Sequence, residues 1–404
     1  MENAVPAHGT QTGSAGEVFA TFLKLGLTSF GGPIAHLGYF RNEIVQRRRW
    51  IDENSYADLV TLCQFLPGPA SSQLGFALGL LRAGALGAIA AWTAFTLPSA
   101  ILLVVFAFGA AGFGGITGSG LVHGLKVVAV AIVAQAVWGM TKSLCPDKTR
   151  AGIALAAVLM AIFIGGSLGQ VVAIIAGGAA GLWLCRSDHQ VVATNIAFPV
   201  SRRVGALALA LFGVLLGGLP IVAAATTSNS IAVFEAFYRA GALVFGGGHV
   251  VLPLLDAGVV RPGWVTPDQF LAGYGAAQAV PGPLFTFAAY LGTGLHPEPN
   301  GIKGALIALL AIFLPGLLLL VGAIPFWSMV RSRSSAQALM RGANAAVVGI
   351  LGAALYQPVW TGAIMGPREF ALALSCFVLL VVWQCPPWIV VILAGTGGVL
   401  IGRF

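Results

Sequence analysis

The chain has 404 residues, of which 58% are hydrophobic and only 8% are charged. A soluble domain carries roughly a quarter charged residues, so this composition excludes a soluble globular protein and indicates a chain that lies mostly in lipid. The formal net charge is +8, but the basic residues stand in separate short loops. That spacing is typical of contacts with lipid headgroups and of membrane topology signals, and it does not suggest a nucleic-acid partner.

In chain order, the apolar residues form thirteen segments. Most run for about 17–25 residues, the length that a helix needs to cross the bilayer, and they lack the alternation of membrane-barrel strands. The sequence therefore predicts an all-α polytopic membrane protein with about 13 membrane segments. The segments are residues 17–37, 56–81, 84–112, 121–142, 151–165, 168–185, 204–225, 232–255, 269–295, 302–326, 336–356, 370–384 and 387–401.

Outside these segments, residues 1–16 form a tail without the basic and apolar pattern of a cleavable signal peptide. The cysteines lie in or beside apolar segments and show no CxxC spacing. We therefore expect reduced thiols, with neither a disulfide nor a metal site, and we expect no cofactor. The five cysteines are Cys63, Cys145, Cys185, Cys376 and Cys385.

An internal repeat organises the chain. Residues 19–33 (FATFLKLGLTSFGGP) match residues 234–248 (FEAFYRAGALVFGGG), and residues 48–69 match residues 261–283 up to a shared Pro-Gly-Pro. Seven apolar segments separate the two starts, and an odd number predicts two inverted-topology repeats with a substrate site between them. The predicted parts are a first repeat at 17–186, a linker with one membrane helix at 187–230, and a second repeat at 231–404. Further matched landmarks are Pro98 with Pro315 and Gly124 with Gly342.

Two models fit the loop charges. If all segments span, the loop with Arg41, Arg47, Arg48 and Arg49 lies outside, against the positive-inside rule. The conflict disappears if the first two segments of each repeat are re-entrant hairpins, which is the model we prefer. In the alternative model these four segments span the bilayer with kinks.

Proline and glycine breaks inside these segments mark a candidate site. Broken helices are tolerated in a membrane where they are buried in protein or line a wet cavity. A helix should begin after each Pro-Gly-Pro, and its N-terminus would attract an anion, with Ser71, Ser72 and Thr286 as polar donors. The alternative is an ordinary proline kink. The break residues are Phe30, Gly31, Gly32, Pro33, Pro67, Gly68 and Pro69 in the first repeat, and Phe245, Gly246, Gly247, Pro281, Gly282 and Pro283 in the second.

Polar residues inside the segments complete the candidate site. Lys24 and Arg239 occupy equivalent positions before the two FGG breaks, and an intramembrane cation indicates function unless it snorkels to the interface. Two cations and helix N-termini would suit a doubly charged oxyanion. The remaining cation is Lys126, with Asn344 as its counterpart. Gln64 and its counterpart Gln278 either bind the oxyanion or tie neighbouring helices together, and His36 and His249 are either structural or proton carriers.

These landmarks resemble the chromate ion transporter family in its long, two-domain form. The match rests on FLKLGLTSFGGPIAHLGYFRNEIV, QFLPGPASSQLG, FGGGHVVLPLL and QAVPGPLFTFAAYLG, and the chain departs from its own first half at Gly248, where Pro33 stands. The resemblance implies a multi-pass exporter of chromate in the bacterial inner membrane, driven by the proton-motive force and conferring resistance. Chromate, protons and lipids are the implied partners, with sulfate as a competitor, and the sequence leaves a homodimer open.

Other functions fit the sequence less well. An importer or exchanger of sulfate or another oxyanion needs the same residues, because transport direction is not encoded in the pattern. An intramembrane enzyme would need clustered carboxylates or a HExxH motif, and a passive channel would not require matched half-sites. The apolar segments carry no such enzyme motif and the chain has no Walker sequence, so we expect a transporter rather than an enzyme.

Overall fold

A computed structural model describes residues 13–110, 115–186, 198–296 and 298–401. Within these ranges the ordered elements are helices and no β-strand is present, which confirms the predicted all-α class. Parts of the predicted tail, of the segment 84–112 and of the linker lie outside the described residues. The α-helices of the first half are α1 (Ala15–Thr28), α2 (Gly32–Phe40), α3 (Glu53–Phe65), α4 (Ala70–Ala110), α5 (Gly115–Leu144), α6 (Lys148–Phe163) and α7 (Gly166–Leu184).

The linker helix and the second half follow in a similar order. The helices are α8 (Arg202–Ala225), α9 (Asn229–Ala242), α10 (Val251–Leu255), α11 (Pro267–Ala277), α12 (Phe287–Thr293), α13 (Gly301–Ala323), α14 (Trp327–Arg331), α15 (Ser334–Ala354), α16 (Thr361–Ala363), α17 (Pro367–Val381) and α18 (Pro387–Ile401). Two π-helical segments, Arg41–Arg47 and Asp256–Val260, follow α2 and α10. Short 3₁₀ turns, Gly248–Val250 and Leu284–Thr286, precede α10 and α12.

Six of the described helical stretches are long and apolar enough to cross a membrane. Three more, Gly248–Val260, Leu284–Thr293 and Pro387–Ile401, are apolar but shorter. The count of 13 segments therefore stays a prediction. The six long stretches are Ala70–Gly109, Gly118–Leu144, Gly166–Leu184, Arg202–Ala225, Gly301–Arg331 and Ser334–Ala363.

The first two predicted segments each fold back on themselves. Hairpin 1 (residues 15–47) turns at the FGG break and hairpin 2 (residues 53–82) turns at the Pro-Gly-Pro. Their ends meet, because Glu17 lies 3.1 Å from Arg82 and 3.7 Å from Arg48. Both guanidinium groups stack on the ring of Trp50. This end of the molecule is called the first base, and the turns of the hairpins are called the tips.

The second half contains two matching hairpins. Hairpin 3 (residues 229–260) turns at the second FGG break and hairpin 4 (residues 267–296) turns at the second Pro-Gly-Pro. The C-terminal end of hairpin 4 meets the chain just before its first residue, where the His296 amide donates to the Trp264 carbonyl at 2.9 Å. This end is called the second base. Trp264 and Trp50 occupy equivalent positions in the repeat, so the same aromatic residue closes both bases.

Two long helices join the bases. Helix α13 begins beside the second base, where Gly304 packs against Gly292, and it continues through α14 to Arg331, which pairs with Asp58 of hairpin 2 at 2.6 Å. Helix α4 leaves the first base through a kink at Gly84 (φ 64°) and reaches Phe106, which stacks on Tyr290 of hairpin 4. The two bases therefore lie at opposite ends of these helices.

The later helices of each half pack against helices of the other half. Helix α5 packs against α17 and α18, and α15 packs against α6 and α7. Glycines permit this close approach, since a Cβ atom at Gly124 would overlap the Ala394 carbonyl and one at Gly342 would overlap the Gly177 carbonyl. Helix α8 lies on the outside, against α9 and α13, with little of its surface buried.

Candidate functional site

Each Pro-Gly-Pro turn is bound to the FGG break of the other half. The Gly68 amide donates to the Val244 carbonyl at 2.7 Å, directly before Phe245-Gly246-Gly247. The Gly282 amide donates to the Ser29 carbonyl at 2.9 Å, directly before Phe30-Gly31-Gly32. These bonds satisfy backbone groups that the helix breaks set free, as burial in a membrane requires. The four predicted breaks therefore meet in crossed pairs.

The central glycines of both Pro-Gly-Pro turns cannot be replaced without strain. Gly68 has φ 119° and Gly282 has φ 106°, in the region that residues with a Cβ atom avoid. A Cβ atom at Gly68 would also stand 3.0 Å from the Cα atom of Gly316, and one at Gly282 would stand 2.8 Å from Ser99 Oγ. Each turn is thus seated on the long helix of the opposite half, one residue after its proline.

The two FGG breaks also approach each other. Pro33 and Gly248 are equivalent residues of the repeat, and the Cβ position of Gly248 lies 3.6 Å from Pro33 Cγ. The Gln73 side chain fixes the first Pro-Gly-Pro turn to the second half. Its Nε2 donates to the Pro67 carbonyl at 3.0 Å and to the Gly316 carbonyl at 2.9 Å. The tips therefore form one region where both halves contribute backbone.

New helices begin at the tips as predicted. Helix α4 starts at Ala70 and the 3₁₀ turn before α12 starts at Leu284. The predicted polar donors Ser71, Ser72 and Thr286 are all buried there. The Thr286 hydroxyl donates to the Pro283 carbonyl at 2.7 Å, whereas Ser72 Oγ has no hydrogen-bond partner among the described residues.

The predicted cations each carry a carboxylate partner. Lys24 lies 2.9 Å from Glu43 and its side chain is 50% exposed, which agrees better with the snorkelling alternative than with a position at the tips. Arg239 lies 2.7 Å from Glu235 of its own helix. Burial of an unpaired charge is costly, which accounts for both ion pairs. A direct contact of these cations with the substrate stays a prediction.

Lys126 and its counterpart Asn344 occupy different surroundings. Lys126 pairs with Asp268 at 2.6 Å, at the start of hairpin 4 and away from the tips. Asn344 reaches the tip region, where its Oδ1 lies 3.6 Å from the Cβ position of Gly246. Lys126 and Asn344 are therefore equivalent in the repeat but lie in different parts of the molecule.

The glutamines and histidines are also unequal. Gln64 is exposed, whereas Gln278 is partly buried and its amide nitrogen lacks a partner in the described part of the chain. His36 is 1% exposed, and neither ring nitrogen meets a partner within the described ranges. His249 Nδ1 lies 2.7 Å from the Tyr274 hydroxyl.

A charged network surrounds Glu43 at the first base. Burial alone would raise the pKa of Glu43, but hydrogen bonds from Lys24, Arg48 and Arg47 outweigh it and hold the pKa at about 2. The carboxylate is therefore ionised at any physiological pH. Its ion pairs join Lys24 of α1 to Arg47 and Arg48, which follow α2.

Cavities lie at the two bases. One of about 290 Å³ is lined by Asp58, Trp327 and Arg331 at the first base. Another of about 170 Å³ is lined by Asp268, Tyr290 and Phe106 at the second base. Neither cavity is lined by the FGG or Pro-Gly-Pro residues, which lie between them.

Sequence reasoning missed several residues at the tips. Ser99 and Gly316 directly follow the landmark prolines Pro98 and Pro315, and Ser29 directly precedes the first FGG break. Their position next to these landmarks could have identified them as candidate site residues. Gln73 gave no signal, because its counterpart in the second half is the apolar Phe287.

Known proteins resemble this chain over most of its length. A "Probable chromate transport protein" of Synechococcus elongatus is 30% identical over 83% of this chain and 82% of its own. A "Chromate transport protein" of Pseudomonas aeruginosa is 27% identical over 83% and 79%, and one of Cupriavidus metallidurans is 27% identical over 85% and 82%. No solved structure matches the chain.

The family comparison divides the chain as its internal repeat does. The sequence model of the chromate transporter family matches residues 16–182 and again residues 231–399. These two stretches contain hairpins 2 and 4, all but the first one or two residues of hairpins 1 and 3, and all the residues of the tips. The chain therefore belongs to the chromate transporter family.

Proposed function

We propose that this protein is a secondary transporter that exports chromate across the bacterial inner membrane. The observation that carries the proposal is the pair of crossed bonds from Gly68 to Val244 and from Gly282 to Ser29, in a member of the chromate transporter family. These bonds bring helix N-termini from both halves into one region. Helix N-termini with free amide groups stabilise anions, and a divalent tetrahedral oxyanion accepts hydrogen bonds on every side.

The halves have inverted topology in this proposal. Its support is that the two bases lie at opposite ends of α4 and α13, so hairpins 1 and 2 enter from one face and hairpins 3 and 4 from the other. The first base carries Arg41, Arg47, Arg48 and Arg82 and is assigned to the cytoplasm by the positive-inside rule. The four hairpins are then re-entrant, with their tips near the middle of the bilayer.

Substrate reaches the tips from one base at a time. The cavities at Asp58 and at Asp268 are the two entrances, and each is bordered by an ion pair between the halves. Rocking of one half against the other opens one entrance as the other closes. Lys24, Arg239 and Lys126 then attract the dianion along the path rather than at its centre.

The charge of the substrate favours export. Membrane potential contributes about 2.3 kcal/mol per charge per 100 mV, so export of a dianion from a negative interior gains about 4.6 kcal/mol at 100 mV. Export is thus favoured by the potential component of the proton-motive force. Lower cytoplasmic chromate would then confer resistance.

Uptake of labelled chromate into inside-out vesicles tests this proposal. Vesicles with the protein should accumulate chromate when the lumen is made acidic and the membrane potential is held at zero, and dissipation of the pH gradient should stop accumulation. Sulfate in excess should slow chromate uptake if the site accepts tetrahedral dianions in general. Vesicles that accumulate chromate under a lumen-positive potential but not under the pH gradient alone would indicate a passive channel. Vesicles that take up sulfate but not chromate would indicate a sulfate carrier.

A further inference from the structure

The two halves have matching backbones at the tips but different side chains. Ser29 and Val244 are equivalent residues, and both accept a hydrogen bond from a Pro-Gly-Pro glycine. The Ser29 side chain is fully buried, and its Oγ has no partner in the described part of the molecule. A buried polar group without a partner costs free energy, so a reason for its retention is required.

Two more buried groups of the first half share this condition. Ser72 and His36 are each 1% exposed, and Ser72 Oγ and both ring nitrogens of His36 are without partners within the described ranges. Their counterparts in the second half are Thr286, whose hydroxyl is bound to the Pro283 carbonyl, and the apolar Val251. These three buried residues therefore belong to the first half, whereas the second half has an unpartnered amide nitrogen at Gln278 among the described residues.

The register of two parallel helices places Ser72 and His36 at the same level. Helices α2 and the first part of α4 both run from the tips to the first base. The Cβ position of Gly75 lies 3.6 Å from the ring of Phe40. Ser72 lies one helical turn before Gly75, and His36 lies one helical turn before Phe40, so both are nearer the tips. The His36 ring also packs edge-on against Phe95, as Phe40 does. The Phe95 carbonyl oxygen lies 3.3 Å from the Cβ position of Gly282, whose amide is bound to Ser29.

The helices add positive potential at this cluster. Helix α2 and helix α4 begin at Gly32 and Ala70, beside the cluster, and the positive ends of their dipoles point toward it. In the second half, the corresponding helical stretches Gly248–Val260 and Leu284–Thr293 begin as 3₁₀ turns. Regular α-helix ends and these three unpartnered residues thus lie together in the first half.

We propose that Ser29, His36 and Ser72 form the oxyanion-binding site, so that one tetrahedral dianion binds on the first-half side of the tips. The hydroxyl groups of Ser29 and Ser72 and a ring N–H of His36 donate to its oxygens. The second half contributes backbone at Gly282, and the counterparts of these three residues supply no free side-chain donor. This assignment rests on the proposed function and specifies where its substrate binds.

Thermal unfolding of the purified full-length protein in detergent tests the assignment. The variants are Ser29→Ala and Ser72→Ala, and the control is Thr293→Val, whose buried hydroxyl donates to the Ala289 carbonyl at 2.8 Å. Unfolding midpoints are measured by the soluble fraction after heating, with sodium chromate or with sodium chloride at matched ionic strength. Because the serine hydroxyl groups are unpartnered, the alanine variants should unfold in chloride at or above the wild-type midpoint.

Chromate should raise the midpoint of the wild-type protein and of Thr293→Val. For Ser29→Ala and Ser72→Ala, the concentration that gives half of this rise should increase at least tenfold. Thr293→Val should unfold at a lower midpoint in chloride, because it loses a made hydrogen bond. Alanine variants with lowered midpoints and an unchanged response to chromate would overturn the site.

The vesicle assay separates the two proposals. If wild-type vesicles accumulate chromate while both serine variants respond to it as the wild-type protein does, the site assignment is wrong and the proposed function stands. If the wild-type protein neither accumulates chromate nor is stabilised by it, the proposed function is wrong and the site assignment falls with it.

Discussion

The Gly68 amide of the first half and the Val244 carbonyl of the second are joined by a hydrogen bond of 2.7 Å, and Gly282 and Ser29 repeat it at 2.9 Å. Each half thus completes the broken helix of the other. The arrangement places four interruptions of the helical backbone in one region, where lipid does not have to satisfy them. It also joins the halves at the position where substrate is proposed to bind.

Replacement of Gly68 by leucine should abolish transport. The positive φ and the contact with Gly316 leave no room for a side chain, so the turn must move away from Val244. Chromate uptake should fall at least tenfold, and Gly282→Leu should behave alike. The matched control is Gly213→Leu on exposed α8, where a Cβ atom meets nothing within 4 Å. A fully active Gly68→Leu protein would count against an anion site at the tips.

Lys24 should affect transport through more than its ion pair. We expect Lys24→Gln to lower the rate of chromate uptake several-fold without loss of membrane insertion, and Arg239→Gln to do the same. In the double variant Lys24→Gln, Glu43→Gln, chromate uptake should stay low if the charge of Lys24 attracts substrate. Recovery in this double variant would show that the lysine serves only to neutralise Glu43.

The buried pair of Asp58 and Arg331 should be important for stability. Its side chains are 8% and 6% exposed, and loss of one partner from a buried pair costs on the order of 3–5 kcal/mol. Asp58→Asn should therefore lower the thermal unfolding midpoint in detergent. The exposed pair of Arg41 and Glu53 is the control, since Arg41→Gln should change the midpoint little. Equal effects of the two substitutions would contradict the burial argument.

The network at Glu43 should fail only in acid. Its pKa is lowered from about 4.5 in the unfolded chain to about 2 in the folded protein, so the carboxylate stabilises the fold above pH 4.5. That contribution is lost as the pH falls from about 4.5 to about 2. Glu43→Gln should therefore reduce the drop in the unfolding midpoint over this range and leave its slope between pH 5 and pH 8 unchanged. An altered slope near pH 7 would contradict the assigned pKa.

Much of the fold was predictable because glycine and proline residues mark the positions where the helices are interrupted. FGG and Pro-Gly-Pro interrupt apolar segments in both halves, and the structure turns the chain at each of them. The partners of the breaks were not predictable, because repeat symmetry matches residues without saying which half binds which. The pairing of Lys126 with Asp268, 142 residues apart, had no local signal either. Long-range ion pairs depend on tertiary packing, which the pattern of one segment does not contain.

A cryo-electron microscopy map of the protein in a lipid nanodisc with chromate tests the account most directly. We expect density for one tetrahedral anion at the tips, within hydrogen-bonding distance of Ser29 and Ser72, while Gly68 and Gly282 remain bound to the opposite half. Anion density confined to the cavities at the two bases, or Pro-Gly-Pro turns bound within their own halves, would contradict it.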